Sequence, residues 1–583
     1  MSFVLGISAF YHDSAACILK DGKIVAAAQE ERFTRKKHDP SFPKQAIEFC
    51  LREAGIGIKE LSLVVFYEKP FLKFDRIINS IQEQAPFGFS FFKKSIKSWT
   101  KTKLWILAII KKELQYSGKM LFSEHHEAHA AGTFFSSPYT ESVIVTIDGV
   151  GEKACTTIGI GRNNTVKIIK EQHYPHSFGL LYSAFTQYCG FKVNSGEYKL
   201  MGLAPYGKPV YTDLILDHFV TISDMGEVIL NLKYFSFDKG ESTINNNFCD
   251  VLGQTARKPD GEMTSFYCDV ASSIQAITED FLQTITTYAQ KITGMENLCL
   301  SGGVALNCKA NGELIKNSIY KDVWVQPASG DSGGAIGAAF VGWYHYLKRE
   351  RSYIDNTLTE QAYLGISYSK ENIEATLQEH QIDYTLSNDK ELCDEVSNEL
   401  KNKKIIGWFQ GKMEFGPRAL GNRSILASPL YEDMKTHVNM RIKKREGFRP
   451  FAPIVLEEKA KDWFSHIQSS KYMLFTYRSN KKDKIPSCIH EDGTARVQTL
   501  CKEENPLLHQ VLSSFEQKTS CPVLINTSFN VRGEPIVASP LDALKCFFQT
   551  EMDILVLGNY IIQKEKNKNV SETLSKQVEY ELD

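Results

Sequence analysis

Two histidines near residue 125 have the spacing of metal ligands. The segment 125–129 reads His-His-Glu-Ala-His, so that its first and last residues are four apart. On a helix this spacing puts the imidazoles of His125 and His129 on one face, close enough to share a metal ion, and directs His126 away from them. Surface histidines or helix-capping histidines would give the same pattern. The pair alone therefore leaves both interpretations open.

Two aspartates favour the metal interpretation. Asp148 follows an apolar run and begins an Asp-Gly-Val-Gly turn, and Asp331 lies in the glycine-rich segment 327–334. Two imidazoles with two carboxylates form a suitable donor set for a hard or borderline divalent cation. The sequence alone does not bring the four side chains together.

Glycine-rich turns recur in the first half of the chain, at residues 148–151, 301–303 and 330–334. Such turns between a strand and a helix let phosphate oxygens approach backbone N–H groups. A single turn of this kind is more typical of a tight structural bend, because glycine adopts positive φ easily. Three of them in one half of the chain favour a nucleotide cleft.

Arginine and lysine are concentrated in turn-rich segments of the second half. A strand predicted at 405–409 runs into residues 410–418, which end in Arg418. The basic residues that follow, some of them in predicted loops, are Lys443, Lys444, Arg445, Arg449, Arg496 and Arg532. Guanidinium groups bind phosphate oxygens in pairs, which suits a phosphate pocket. The alternative is a solvated basic face, which would show alternating charges along an exposed helix.

The elements that must position these residues form a repeated pattern. Apolar runs separated by tight turns predict strands at 3–8, 15–19 and 24–28, and again at 143–147, 155–160 and 166–169. The three-and-four spacing of apolar residues from Val270 to Tyr288 predicts an amphipathic helix before a strand at 298–300. We therefore predict a duplicated α/β architecture in the first half.

The composition is that of an ordinary globular protein of two to four domains. The 583 residues include 43% hydrophobic residues, and 68 Lys and Arg nearly balance 69 Asp and Glu. No overall charge would hold the chain on nucleic acid or on an anionic membrane. Thirteen cysteines without a C-x-x-C pair, and the lack of a leader or a long apolar segment, predict a cytoplasmic protein with free thiols.

One aromatic and basic segment, Phe87–Lys112, stands apart from these patterns. Phe87–Phe92 is rich in phenylalanine, and the apolar run Leu104–Ile110 is flanked by lysines. The segment would suit a membrane surface or a partner protein. We favour a buried face within a helical insertion, because apolar stripes usually serve a core.

Seven motifs, in this order, resemble the NodU/TobZ-type O-carbamoyltransferases. They are Tyr-His-Asp-Ser-Ala-Ala at 11–16, Glu-Glu-Arg-Phe at 30–33, the histidine segment 125–131, Ser-Gly-Gly-Val-Ala-Leu-Asn at 301–307, Phe-Gly-Pro-Arg-Ala-Leu-Gly at 415–421, Arg-Pro-Phe-Ala-Pro at 449–453 and Asn-Thr-Ser-Phe-Asn at 526–530. The resemblance covers nearly the whole chain. It implies a Kae1-like domain of the duplicated actin/Hsp70/sugar-kinase fold over residues 1–355. It also implies a YrdC-like α/β domain over residues 356–583, after a linker near 352–359.

The resemblance also implies roles for individual residues. It places a divalent metal, Fe²⁺, on His125, His129, Asp148 and Asp331, and makes His12 the base that faces the acceptor hydroxyl. The implied nucleotide contacts are Lys37, Asp148, Gly149, Val150, Gly151, Gly303, Asn307 and Arg418. The implied carbamoyl phosphate contacts are Lys443, Arg449, Arg496, Asn530 and Arg532.

The implied activity uses carbamoyl phosphate and ATP as co-substrates to form carbamoyl adenylate. The carbamoyl group then passes to a hydroxyl of a small-molecule or sugar acceptor, such as an antibiotic, a nodulation factor or a surface glycan. We expect no nucleic-acid partner and no transmembrane segment, and a homodimer is one option for the assembly.

Four other functions are alternatives to this one. A phosphotransferase of the sugar-kinase class is disfavoured by the basic second half, and a tRNA-modifying enzyme of the threonylcarbamoyl type by the near-neutral charge. A hydrogenase-maturation carbamoyltransferase would carry paired C-x-x-C zinc motifs, which this sequence lacks. A non-catalytic ligand-binding module is the remaining alternative.

Overall fold

The computed structural model describes residues 1–83, 93, 96, 97, 99–237, 242–351, 362–569 and 574. The chain divides into two units, Met1–Glu30 with His38–Leu358, and Glu31–Lys37 with Thr359–Asp583. The boundary predicted between residues 355 and 356, and the linker near 352–359, lie outside the described residues. No local sequence pattern predicts that Glu31–Lys37 groups with the second unit.

The first unit contains two five-stranded sheets of matching topology. The strands of the first sheet are β1 (Phe3–Ser8), β2 (Ala15–Lys20), β3 (Lys23–Gln29), β4 (Leu61–Phe66) and β5 (Met120–Phe122). Those of the second are β6 (Glu141–Ile147), β7 (Ala154–Arg162), β8 (Thr165–His173), β11 (Asn297–Ser301) and β12 (Asp322–Val325), while β9 (Val220–Ile222) and β10 (Val228–Leu230) form a separate hairpin.

The order β3-β2-β1-β4-β5 in the first sheet corresponds to β8-β7-β6-β11-β12 in the second. In each sheet three antiparallel strands are followed by two parallel ones. The central strand β1 is buried along its whole length, whereas the edge strand β8 alternates between exposed and half-buried residues. The predicted duplication is therefore confirmed.

Helices connect and cover these strands. Those of the first unit are Lys44–Ala54, Pro70–Glu83, Ile106–Leu114, His125–Ser136, Phe178–Tyr188, Glu197–Leu203, Thr212–His218, Asn246–Leu252, Ser265–Thr293, Cys308–Lys316 and Gly334–Phe340. The long helix Ser265–Thr293 buries the predicted apolar positions, among them Ile274, Ile277 and Phe281.

The helix Ile106–Leu114 buries Ile106, Ile110 and Leu114, while Leu107 is 44% exposed. The predicted buried face is thus confirmed for this part of the aromatic and basic segment, and Phe87–Phe92 lies outside the described residues. No helix in the described part of the chain is long and apolar enough to span a membrane. All thirteen cysteines are free thiols, as predicted.

The second unit is built on one eight-stranded sheet with the order β13-β22-β21-β14-β15-β20-β16-β19. Its strands are β13 (Thr385–Leu386), β14 (Ile406–Phe409), β15 (Arg423–Ala427), β16 (Ala452–Leu456), β19 (Gln498–Leu500), β20 (Val523–Ser528), β21 (Ile554–Leu557) and β22 (Tyr560–Gln563), and β17 (Thr476–Arg478) pairs with β18 (Thr494–Arg496) in a hairpin. The helices are Glu31–Thr34, Lys370–Glu379, Asp389–Lys401, Met434–His437, Ala460–Trp463, Pro506–Thr519 and Pro540–Phe548. Apolar side chains such as Phe409, Ile525 and Leu555 form its core.

The segment Glu31–Lys37 is fastened to the second unit by two arginines. Arg32 Nη2 donates to the carbonyl oxygen of Gly416 over 2.9 Å. Arg35 donates to the carbonyl oxygens of Pro535 and Ile536 over 2.8 and 2.7 Å, and its Nη2 lies 3.1 Å from Glu534 Oε1. These charge-assisted hydrogen bonds explain why seven residues from the beginning of the chain belong with its second half.

Candidate active site

Four side chains of the first unit converge on one point. The ligand atoms of His125, His129, Asp148 and Asp331 all lie within 4.8 Å of one another. His125 Nε2 lies 2.9 Å from Asp148 Oδ2 and 3.1 Å from His129 Nε2. Asp331 Oδ1 lies 3.8 Å from His125 Nε2 and 3.9 Å from His129 Nε2. The four predicted metal ligands thus lie together, and we call them the His-Asp cluster.

Local structure holds the His-Asp cluster in place. The two histidines occupy the first turns of the helix His125–Ser136, which packs closely against the helix Gly334–Phe340. A Cβ atom at Gly337 would collide with the carbonyl oxygen of Ala128, so only glycine allows this approach. The hydroxyl of Ser301, at the end of β11, lies 3.3 Å from Nδ1 of His129 and orients its ring.

The two carboxylates of the His-Asp cluster favour positive charge at this point, and a bound divalent cation would replace the proton of His125. Burial lowers the pKa of His125, but the hydrogen bond to Asp148 and the charge of Asp331 outweigh it and raise the pKa to about 9. Burial opposes ionisation of Asp148, yet its hydrogen bonds with His125 and His129 hold its pKa well below the usual range. Two nitrogen and two oxygen donors around one point match the preference of a borderline divalent cation, which these four residues would hold.

His126 is buried against β6 and does not lie on the protein surface. It is only 3% exposed, and its Nδ1 lies 2.6 Å from the hydroxyl of Thr146, which in turn bonds the hydroxyl of Thr157 across β6 and β7. It does point away from the His-Asp cluster, as predicted. Substituting it would disturb the sheet, so His126 is a poor control for the metal ligands.

His12 lies next to the His-Asp cluster and is held by Asp13. His12 Nε2 lies 3.7 Å from Asp331 Oδ2, and its Nδ1 lies 2.9 Å from Asp13 Oδ2. The other carboxylate oxygen of Asp13 lies 2.8 Å from His38 Nδ1. Because a carboxylate accepts hydrogen bonds, Asp13 keeps a proton on Nδ1 of His12, so that Nε2 is the nitrogen that faces the cluster. The roles of Asp13 and His38 were not predicted, although Asp13 is in the quoted motif 11–16.

The acidity of His12 depends on the charge of the cluster. Burial lowers the pKa of His12, but the carboxylates of Asp331 and Asp13 outweigh burial and raise it to about 9. A cation bound to Asp331 would offset that carboxylate. The pKa of His12 would then fall towards the range in which the neutral imidazole accepts a proton.

The glycine-rich turns border the His-Asp cluster. The backbone N–H of Gly303 donates to Asp148 Oδ1 over 3.2 Å, and a Cβ atom at Gly151 would lie 3.0 Å from Cβ of His125. Gly149 has open space where a side chain would be, and Val150 is half-buried beside it. The predicted nucleotide turn 148–151 and Gly303 therefore lie at one place.

Two predicted nucleotide contacts, Asn307 and Lys37, are not placed with the turn 148–151 as Gly303 is. The Asn307 side chain caps the helix Cys308–Lys316 by accepting from Ala310 N over 3.0 Å, and it exchanges two hydrogen bonds with Gln275. Its amide is thus committed within the fold. Lys37 belongs to Glu31–Lys37 and so to the second unit, whereas the prediction grouped it with the Asp148 turn.

The second unit places Lys443 and Asn530 in direct contact. Lys443 is 2% exposed, and its ammonium lies 2.6 Å from Asn530 Oδ1 and 3.1 Å from the hydroxyl of Ser528. Burial, reinforced by the charge of Arg445, lowers the pKa of Lys443 well below its ordinary value. Lys443 therefore holds the end of β20 and fixes the position of Asn530.

Arg449 and Arg532 share one acidic neighbour, Glu446. Arg449 Nη2 lies 2.8 Å from Glu446 Oε2, and Arg532 Nη2 lies 3.8 Å from Glu446 Oε1. The two guanidinium groups thus flank one carboxylate, and guanidinium pairs with phosphate oxygens through the same kind of charge-assisted contact. Glu446 was not predicted, because this single acid lies within the basic run 443–449.

The remaining predicted arginines occupy different kinds of structure. Arg418 lies in an irregular loop, as predicted, but Arg496 is the last residue of β18, opposite Thr476, so its predicted loop position is wrong. The alternating pattern that marks longer strands does not develop in three residues. Among the described residues, Arg496 forms no side-chain hydrogen bond or ion pair.

Arg423 and Glu414 were not predicted, yet they organise the loop that contains Arg418. Arg423 is fully buried, stacks 3.6 Å from the ring centroid of Phe409 and donates to four backbone carbonyl oxygens. Glu414 Oε1 accepts the N–H groups of Leu420, Asn422 and Arg423 over 2.7 to 3.2 Å. Neither arrangement has a local sequence signal.

The first unit is a duplicated α/β structure that contains the His-Asp cluster. The second unit contains a pair of arginines. Together these features are those of a group-transfer enzyme. Family models described as "Carbamoyltransferase N-terminus" and "Carbamoyltransferase C-terminus" match residues 3–340 and 397–564. The chain therefore belongs to the carbamoyltransferase family and is a carbamoyltransferase.

Relatives of this chain occur in several bacteria. An uncharacterised protein of Synechocystis sp. is 46% identical over 100% of both chains. Nodulation protein NolNO of Sinorhizobium fredii is 33% identical over 95% of this chain and 79% of its own, and NolO of Bradyrhizobium diazoefficiens is 34% identical over 76% and 78%. Among solved structures, T. kodakarensis HypF is 15% identical over 60% of this chain and 48% of its own, with a TM-score of 0.32, a likeness too weak to bear on this chain.

Proposed function

We propose that this chain is an O-carbamoyltransferase that forms carbamoyl adenylate in its second unit and transfers the carbamoyl group in its first. In this proposal the first unit is Kae1-like, the second is YrdC-like, and the acceptor is a hydroxyl of a small molecule or sugar. The resemblance of the ordered motifs supports the proposal, as do the two family models.

The first half-reaction consumes carbamoyl phosphate, ATP and one water. Both phosphate and pyrophosphate must leave, so water first displaces phosphate to give carbamate, whose oxygen then attacks the α-phosphorus of ATP and expels pyrophosphate. Arg449 and Arg532 would flank a phosphate group, as they now flank Glu446. Asn530, held by Lys443, together with Arg418 and Arg496, would complete the pocket.

The second half-reaction places the acceptor hydroxyl against His12. Nε2 of His12 accepts the hydroxyl proton while the oxygen attacks the carbamoyl carbon and AMP leaves. Asp13 orients the imidazole through Nδ1. When bound by the His-Asp cluster, a divalent cation, which we propose is Fe²⁺, supplies positive charge that offsets the charge developing on the oxygens of the mixed anhydride. The turn 148–151 and the N–H of Gly303 would bind the nucleotide phosphate.

The convergence of His125, His129, Asp148 and Asp331 beside His12 carries this proposal. The test is an assay of pyrophosphate release from ATP that requires carbamoyl phosphate, followed by mass spectrometry of hydroxylated acceptors for a carbamoyl increment. We expect pyrophosphate release and the increment in the presence of both co-substrates. ADP release with a phosphorylated acceptor would instead identify a phosphotransferase.

A further inference from the structure

Two lysine side chains contact the Tyr11 ring on the side of the first unit where His12 lies, and an arginine stands beside them. Lys73 Nζ lies 4.9 Å from the centroid of the Tyr11 ring, and Lys103 Nζ lies 5.9 Å from it. Arg76 stands one turn after Lys73 on the helix Pro70–Glu83 and donates to the carbonyl oxygen of Gly151 over 2.9 Å. We call Lys73, Arg76 and Lys103 the Tyr11 cation group.

Among the described residues, Glu68 is the carboxylate that pairs directly with a member of this group of three cations. Glu68 is 2% exposed and bonds Lys73 Nζ over 2.6 Å. Within the described residues, the ammonium of Lys103 forms no ion pair, and it contacts the rings of Tyr11 and Trp99 instead. The sequence from residue 84 to residue 112 contains no Asp or Glu that could supply a second carboxylate from that segment.

Three cations with one carboxylate in a largely buried place are unfavourable unless an anion joins them. The mutual repulsion is visible at Lys103: burial, together with the charges of Lys73 and Arg76, lowers its pKa to about 8. An added anion would relieve this repulsion and gain charge-assisted hydrogen bonds.

The position of Tyr11 indicates which substrate would bring that anion. Tyr11 is 43% exposed, and its ring centroid lies 4.6 Å from that of its neighbour His12. A half-exposed aromatic ring next to the proposed base offers an apolar face to a sugar. Resting on the proposed function, we propose that the Tyr11 cation group is an acceptor subsite for the carboxylate of an acidic sugar.

Lys103 is the residue of choice for the test, because Lys73 is tied to buried Glu68 and Arg76 to Gly151. Binding of sodium glucuronate, glucose and inorganic phosphate is measured by calorimetry with the full chain, without carbamoyl donor or ATP. We expect glucuronate to bind at least about tenfold more tightly than glucose, the minimum for one charge-assisted hydrogen bond. Lys103→Gln should remove that preference and Lys103→Arg should keep most of it. Lys101→Gln, at an exposed lysine two residues away, should bind like the wild type.

Equal affinities for glucuronate and glucose in the wild type would overturn the proposal, whatever the variants do. So would a glucuronate preference that survives in Lys103→Gln. Tighter binding of phosphate than of glucuronate, lost in Lys103→Gln, would assign the group to a phosphate and not to the acceptor. Because the assay contains no carbamoyl donor, its result does not depend on whether the chain transfers carbamoyl groups.

Discussion

His129 is 2% exposed, and its Nε2 lies 3.4 Å from Asp148 Oδ2. Replacing it with alanine removes one of four converging ligands. Loss of supporting residues around a metal costs about 10- to 100-fold in affinity or activity, so the loss of a ligand itself should cost at least about 100-fold. We expect His129→Ala to be purified without bound metal and to lose carbamoyl transfer, as checked by elemental analysis and mass spectrometry.

The matched control is His173→Ala, which changes an exposed histidine of β8 that pairs with Glu171. It should retain the metal content and the transfer rate of the wild type. Full metal content in His129→Ala would remove His129 from the metal site.

His12 lies between Asp13 and Asp331 and is the residue to which we assign proton removal. We expect His12→Asn to release pyrophosphate normally but to transfer the carbamoyl group at least about 100-fold more slowly, the lower end of general-base contributions. The two half-reactions are measured separately, and the thermal midpoint should stay near that of the wild type. Equal losses in both half-reactions would mean that His12 only supports the fold.

At the scale of elements, the close packing of two helices positions the His-Asp cluster. A methyl group at Gly337 would collide with the carbonyl oxygen of Ala128, so the helices His125–Ser136 and Gly334–Phe340 would have to move apart. We expect Gly337→Ala to lower the free energy of unfolding by about 1–3 kcal/mol, as overpacking does, and to weaken metal binding. Chemical denaturation and metal titration measure the two effects.

Gly57→Ala is a suitable comparison for this variant. Gly57 is exposed, has ordinary negative φ and would bring its Cβ no closer than 3.8 Å to Glu60. Its stability should change little. If Gly337→Ala were as stable as Gly57→Ala and bound metal normally, the helix contact would not position the ligands.

Elements with a strong local signal were predictable from the sequence. The repeated strands and the helix predicted from Val270 to Tyr288 follow from apolar periodicity and turn residues, which act over a few neighbours. Arg496 was misplaced because β18 is only three residues long. The contact of Asp13 with His38 joins residues 25 apart and can be recognised only in the folded chain. The contact of Arg449 with Glu446 is local, and an acid within a basic run is the signal that could have predicted it.

At the scale of the whole molecule, we assign one half-reaction to each unit. We therefore expect Arg532→Ala to block pyrophosphate release from ATP and carbamoyl phosphate, because a charge-assisted phosphate contact is lost. The variant should still transfer from chemically supplied carbamoyl adenylate. Mass spectrometry of the acceptor and a pyrophosphate assay measure the two activities.

Arg441→Ala removes an exposed arginine that pairs with Glu551 in the same unit, and it should behave like the wild type in both assays. Normal pyrophosphate release by Arg532→Ala would exclude Arg532 from the first step. Failure with supplied carbamoyl adenylate would show that the two activities cannot be separated in this way.

Because the segment Glu31–Lys37 belongs to the second unit but is encoded within the first, a single cut in the gene cannot separate the two units. A gene divided between codons 358 and 359 would encode a second product that lacks Arg32 and Arg35, which donate to Gly416, Pro535 and Ile536. The first product would carry that segment without its partners. Fission into two cistrons at this junction would thus leave the second product incomplete, and expressing the second unit whole would require residues 31–37 to be supplied together with residues 359–583.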